Sequence, residues 1–274
     1  MAAADNGAGA SRHRVEVTIA DHVAEVRLDR PEVHNALDFA MFGAIGAAID
    51  ELAADASVRA VVLHGAGPSF CPASTSRASP RAAPRSRRCS PAATARTRTS
   101  PSASPTAGRL LPAPVICAVH GNCLGGGAQI ALGADIRIIA PDATLSIREV
   151  HWGLIPDMGI TRSLPRLVRS DVAKELVLTA RMLDGAEAAR LGLATRVGDD
   201  PLAAARGLAA EIAARSPDAT RRAKALIERA WTMAPADSLA LEEELQRELL
   251  GTASQMKAVE AGMGGDPGEF DDPA

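Results

Sequence analysis

At 274 residues, with 47% hydrophobic and 23% charged side chains, the chain is long enough for one large domain with a real core and has the balance of a soluble globular protein. Its net charge of −3 hides a contrast, because residues 72–107 hold seven Arg and no acid, leaving 23 basic against 33 acidic groups elsewhere. So acidic a body has no whole-molecule attraction to nucleic acid or anionic lipid, and no apolar run approaches the roughly 18 residues of a membrane span.

Residues 1–12 lack the apolar centre of a signal peptide and read as a frayed tail, so a cytoplasmic setting is the expectation. Residues 15–19 and 23–28 alternate as two strands joined by a short turn, and Asp29-Arg30-Pro31 breaks the second. Asn35 or Asp38 can cap a helix whose apolar face runs through Phe39, Phe42, Ile45, Ile49 and Leu52. Residues 58–64 predict another strand, ending at Gly65-Ala66-Gly67. Residues 72–107 then use only Pro, Ala, Ser, Thr and Arg, plus Cys89, and have almost no apolar surface to bury against chain entropy. A basic RNA-binding segment would need aromatics for base stacking, which this tract lacks; a phosphorylatable insert is the other reading of its composition.

Residues 115–119 form a continuous apolar run, as in a strand buried on both faces. His120-Gly121 and Gly125-Gly126-Gly127 follow, then a helix through Ile130 and Leu132 and a strand over 135–139. The strand–strand–helix order argues for an α/β core. Past residue 200 the pattern is helical only: 201–214, 217–231 and 239–256, the last rich in Leu. Residues 263–274 read as a disordered tail. Cys71, Cys89, Cys117 and Cys123 have neither metal-ligand nor disulfide spacing, and no metal site is expected.

A buried strand, a short turn and three glycines opening a helix can receive an oxyanion, since the backbone there approaches closely and the helix start is electropositive. Tight helix-on-strand packing explains the glycines about as well. His120 and His151 read as structural residues.

Asp29-Arg30-Pro31 with Asn35-Ala36-Leu37, Pro112-Ala113-Pro114-Val115, His120-Gly121 with the glycine triplet, and Trp152-Gly153-Leu154-Ile155-Pro156 stand in order and at one family's spacing. Over residues 13–71 and 109–260 the chain resembles the enoyl-CoA hydratase/isomerase (crotonase) family. The resemblance implies a crotonase-like spiral of strand–strand–helix units over 13–200 and a helical trimerisation region over 201–262. It also implies an acyl-CoA thioester substrate, coenzyme A entering only as part of that substrate, with no further cofactor. A homotrimer or hexamer, built as a dimer of trimers, is implied as well, with no nucleic-acid or membrane partner. The Gly126 N–H becomes half of an oxyanion hole, with Ala36 and Gly125 at the substrate.

Carried over residue by residue, the first hydratase glutamate falls on Gln129 and the second on Glu149. An amide can hydrogen-bond a water but cannot take its proton, which puts a two-glutamate hydration in doubt. Asp157 matches an extra acid of dienoyl-CoA isomerases in the family, and a Glu149/Asp157 pair could shuttle a proton along a dienoyl chain. The plain alternatives are a surface acid at Glu149 and a helix cap at Asp157. Hydration through Glu149 alone, and a scaffold without a complete oxyanion hole, are the rival functions.

The family's other oxyanion N–H belongs to the x residue of an Ala-Gly-x-Asp loop, yet Cys71 is followed here by Pro72-Ala73-Ser74-Thr75. Pro, Ala, Ser and Thr share codons with C in the middle, and Arg and Cys have G there. A GC-rich gene whose wobble base is read as the second base produces this alphabet. Shifted by one base, the codons from Pro72 to Arg77 permit Gly-Leu-Asp-Phe-Lys, which puts Ser74 in the oxyanion slot. A compensating shift near Gly108 would restore the frame.

Overall fold

A computed structural model describes residues 14–72, 107–266 and 268–273. The expected tail over 1–12, Ser74 and most of the Arg/Pro/Ser tract lie outside these described residues.

In chain order the elements are β1 (Val15–Ala20), β2 (Val23–Leu28), α1 (Phe39–Ala54), β3 (Ala60–Gly65), α2 (Ala107–Leu110), β4 (Val115–Val119), β5 (Asn122–Leu124), α3 (Gly126–Leu132), β6 (Ile136–Ile139) and β7 (Thr144–Ser146). A helical series follows: α4 (Ile160–Ser163), α5 (Ser170–Thr179), α6 (Gly185–Leu191), the two-residue β8 (Arg196–Val197), α7 (Pro201–Ala213), α8 (Pro217–Ala230), α9 (Pro235–Leu249) and α10 (Ala253–Gly262). One sheet runs in the order β1-β2-β3-β4-β6-β8, and β5 pairs with β7 in a second, smaller one. Only β1 and β2 are antiparallel; every later neighbour is parallel.

The burial follows from the residue pattern. β2 alternates, turning Ala24, Val26 and Leu28 inward, whereas all five residues of β4 are buried, as a strand covered on both faces requires. On one face α1 and α3 pack Met41, Ile45, Leu52, Ile130 and Leu132 against the sheet. On the other, the small residues Ala205 and Ala209 of α7 let that helix sit close to Val62, Ile116 and Ile138. Two helices start at a side-chain cap followed by proline, Asp200-Pro201 and Ser216-Pro217, where the caps accept from Ala203 and Ala219 N–H.

One open choice is settled and three expectations need correction. The cap of α1 is Asp38, whose carboxylate accepts from Met41 N–H; Asn35 is fully buried and instead donates from Nδ2 to the carbonyls of Ala66, Ser69 and Phe70. The third strand begins at Ala60 rather than 58; just before it Arg59 N–H donates to His22 O at 2.8 Å while its side chain donates to Phe270 O. The last helix is two: Gly251, at φ 79°, breaks it, and Thr252 caps α10 by accepting from Gln255 N–H. The closing residues are not a loose tail. His22 meets Glu269 at 2.7 Å, Arg59 donates to Phe270 O at 2.6 Å, and Lys257 pairs with Asp271 at 3.1 Å.

Candidate active site

β4 delivers the chain to His120-Gly121, and β5 then carries it to Gly125, whose φ of 52° and ψ of −119° turn it into α3. Gly125 N–H donates to Ser146 O at 2.8 Å, which ties this turn to β7. A Cβ at Gly127 would lie 2.2 Å from Cys71 O, so here the close-packing explanation of the glycine triplet holds. At Gly126 the nearest atoms to an added Cβ are the side chains of Leu37, at 2.7 Å, and Met158, at 3.0 Å. Gly126 is the first residue of α3, so its N–H has no intrahelical acceptor, and Leu37 and Met158 form the apolar walls beside it.

One turn further on, Gln129 is almost completely buried and has both ends engaged. Its Nε2 donates to Glu149 Oε1 at 2.6 Å, and its Oε1 accepts from Met158 N–H at 2.9 Å. The amide therefore holds the carboxylate and the wall of the Gly126 site in one geometry. Glu149 opens a short 3₁₀ turn over Glu149–Trp152 and is half-buried. Its Oε2 is buried without a hydrogen-bond partner among the described residues. Burial pushes the Glu149 pKa above the usual carboxylate value and Asp157 adds to the rise, while hydrogen bonds from its own N–H, Gln129 and Arg148 oppose it. An oxygen with no donor on a carboxyl group of raised pKa is suited to accept and return a proton.

Asp157 is exposed, near enough for its charge to reach Glu149. It is not a helix cap, since α4 is capped by Gly159 with no side-chain bond. Ala36 is fully buried, and its carbonyl accepts from Arg30 Nη1 at 2.7 Å. His120 bonds Gly67 O at 2.9 Å, and the exposed His151 packs its ring edge-on to Trp152. The thiols of Cys71, Cys117 and Cys123 are buried and their pKa values raised, to about 12 at Cys71, by desolvation. Among the described residues no group of three or more His, Cys, Asp or Glu could hold a metal ion, and no helix is long and apolar enough to cross a membrane.

The Met158 N–H and the walls of Leu37 and Met158 escaped sequence reading. A spacing of 20 residues suggests that positions 129 and 149 are related, but nothing local says that position 158 closes the triangle.

A glycine-lined helix start beside a half-buried, amide-clamped carboxylate, on a spiral of parallel strands and helices, defines a crotonase-fold protein. The enoyl-CoA hydratase/isomerase family model matches residues 18–264. YngF, a Bacillus subtilis (strain 168) protein assigned by name to that family, is 32% identical over 246 residues, covering 88% of this chain and 91% of its own. The mitochondrial Delta(3,5)-Delta(2,4)-dienoyl-CoA isomerase of Homo sapiens is 32% identical over 248 residues, 88% of this chain and 76% of that one. Among solved structures, an enoyl-CoA hydratase from Bacillus anthracis superposes with a TM-score of 0.82 at 27% identity, over 94% of this chain and 98% of that one. The chain belongs to the enoyl-CoA hydratase/isomerase family.

Proposed function

We propose that this protein moves a double bond along an unsaturated acyl-CoA by proton transfer, with Glu149 as the acid/base. The observation that carries the reading is the double engagement of Gln129, which leaves one carboxylate, with one unengaged oxygen, beside Gly126. Glu149 Oε2 removes a proton from carbon, and the electron pair moves through the conjugated chain to the thioester oxygen. The resulting enolate is stabilised by Gly126 N–H. The carboxylic acid so formed returns its proton to another carbon of the chain, with Asp157 assisting at the exposed side. Every atom removed is restored, so no co-reactant is needed. The likeness to a dienoyl-CoA isomerase over most of both chains supports this chemistry.

Hydration is the second reading, favoured by the likeness to human mitochondrial methylglutaconyl-CoA hydratase, 36% identical over 155 residues but spanning 54% of this chain and 46% of that one. In the hydration reading Glu149 alone activates the water. A homotrimer or dimer of trimers and a cytoplasmic setting complete the proposal. The exposed Trp152, Leu154 and Ile155 between the two acids fit a site whose rim packs on a neighbouring copy.

The test is turnover by Glu149→Gln and Asp157→Asn on a 3,5-dienoyl-CoA and a 2-enoyl-CoA. Isomerisation should fall at least a hundredfold in the first variant and measurably in the second. Hydration abolished by Glu149→Gln but indifferent to Asp157→Asn would overturn the isomerase reading.

A further inference from the structure

Gly126 is only half-buried, yet the space that a side chain would take there is already filled. A Cβ on Gly126 would lie 2.7 Å from Leu37 Cδ1, 3.0 Å from Met158 Sδ and 3.5 Å from Met158 Cε. Two apolar side chains thus close on the residue whose N–H has no acceptor within its helix. The insertion of Met158 stands out along its own segment. From His151 to Asp157 no side chain is buried; Met158 is the first to turn inward, and its thioether ends against Gly126. Gly159, at φ 83°, then turns the chain into α4.

The two walls differ in freedom. Leu37 is carried between fixed points, since Arg30 holds Ala36 O, Asn35 bonds three carbonyls, and Asp38 caps α1. Met158 combines a fixed main chain with a long, unbranched and adaptable side chain. Its N–H is bound at 2.9 Å to Gln129 Oε1, in the same amide that holds Glu149. The backbone of Met158 therefore belongs to the carboxylate clamp and its side chain to the Gly126 wall, so the side chain can be changed while the clamp keeps its N–H. A thioester oxygen that accepts from Gly126 N–H at about 2.9 Å is two bonds from C2, the acyl carbon next to the carbonyl. Hydrogens on C2 ask little of the wall, whereas a methyl there competes for the space that Met158 Sδ and Cε fill. Close-packed sites tolerate such overfilling poorly, and one added methylene discriminates ligands by roughly 10–200-fold.

We infer that Met158 is a specificity-determining residue that sets the width of the site beside C2, admitting thioesters unbranched there and disfavouring those with a 2-methyl group. The inference rests on the reading that Gly126 N–H receives the thioester oxygen, and not on whether the bound chain is isomerised or hydrated.

The test is a calorimetric titration of the full chain with butanoyl-CoA, 2-methylbutanoyl-CoA and free coenzyme A. Both esters are saturated, so neither is isomerised or hydrated during the titration. Butanoyl-CoA should bind at least about tenfold more tightly than its 2-methyl analogue. In Met158→Ala the ratio should fall below about threefold, through tighter binding of the branched ester. A merely structural loss would weaken both esters alike and leave the ratio unchanged. Circular dichroism establishes that the variant is folded; if Met158→Ala is not, Met158→Val, which also removes Sδ and Cε, is held to the same ratio. Equal binding of the two esters by the parent, or an unchanged ratio in the folded variant, would overturn the inference alone. If neither ester binds more tightly than free coenzyme A, the Gly126 reading is overturned and the inference falls with it.

Discussion

Replacing Gln129 by Leu strips a donor from Glu149 Oε1 and an acceptor from Met158 N–H, both in the interior. Turnover should fall about ten- to a hundredfold with KM nearly unchanged, since a buried polar group left unpaired costs roughly 1–3 kcal/mol. Gln129→Glu instead places a second carboxylate against Glu149, and like charges raise the pKa of the pair. The acid limb of the pH–rate profile should then move to higher pH than in the parent. Glu149 itself makes a stability prediction. Its folded pKa is raised, so the unfolded state binds fewer protons as pH rises, and the folded state loses stability from the ordinary glutamate value up through the raised one. Glu149→Gln should thus melt about 2 °C higher than the parent at pH 8 and no higher at pH 4, read by calorimetry.

At the scale of elements, much was legible where residue pattern and burial coincide. The uninterrupted apolar run of β4 and the alternation in β2 needed no tertiary information. The division between α9 and α10 was harder, because the stripe of Leu239, Leu241, Leu245, Leu249 and Leu250 runs up to Gly251 and Met256 resumes an apolar pattern beyond it. The Gln129–Glu149–Met158 triangle was not legible, since its third side is a backbone N–H. Nor was the docking of the chain's end. His22 faces acceptors at both ring nitrogens, Ser57 O at 2.9 Å and Glu269 at 2.7 Å, so its full bonding needs the imidazolium. Its pKa is raised chiefly by Glu269, and this contribution is complete below the ordinary histidine value and fades as pH rises through the raised one. An NMR titration should show the His22 pKa falling in Glu269→Gln. An unchanged value would mean that the last residues leave β1–β2 untouched.

The margins of the 72–107 tract bear on the same scale. Cys71 is fully buried, with its N–H on Asn122 O and its thiol on Asn35 O. At the other margin, a Cβ on Gly108 would strike Gly133 O at 2.5 Å, so that position demands glycine. Both margins suit the fold residue by residue.

For the whole molecule, the question is whether a chain without the family's Ala-Gly-x-Asp sequence after Cys71 turns over as fast as one that has it. Loss of one oxyanion N–H costs about 10²–10³ in turnover, so the chain as encoded should be slower by that factor than one whose 72–107 codons are read in the displaced frame. Resequencing the gene checks the frame itself. The central claim, that Glu149 with its amide clamp isomerises rather than hydrates, rests on a single comparison. The frame-restored chain is assayed side by side on a 3,5-dienoyl-CoA and a 2-enoyl-CoA at equal concentration. Dienoyl isomerisation at least tenfold faster than hydration is the predicted result, and hydration running as fast or faster would contradict it.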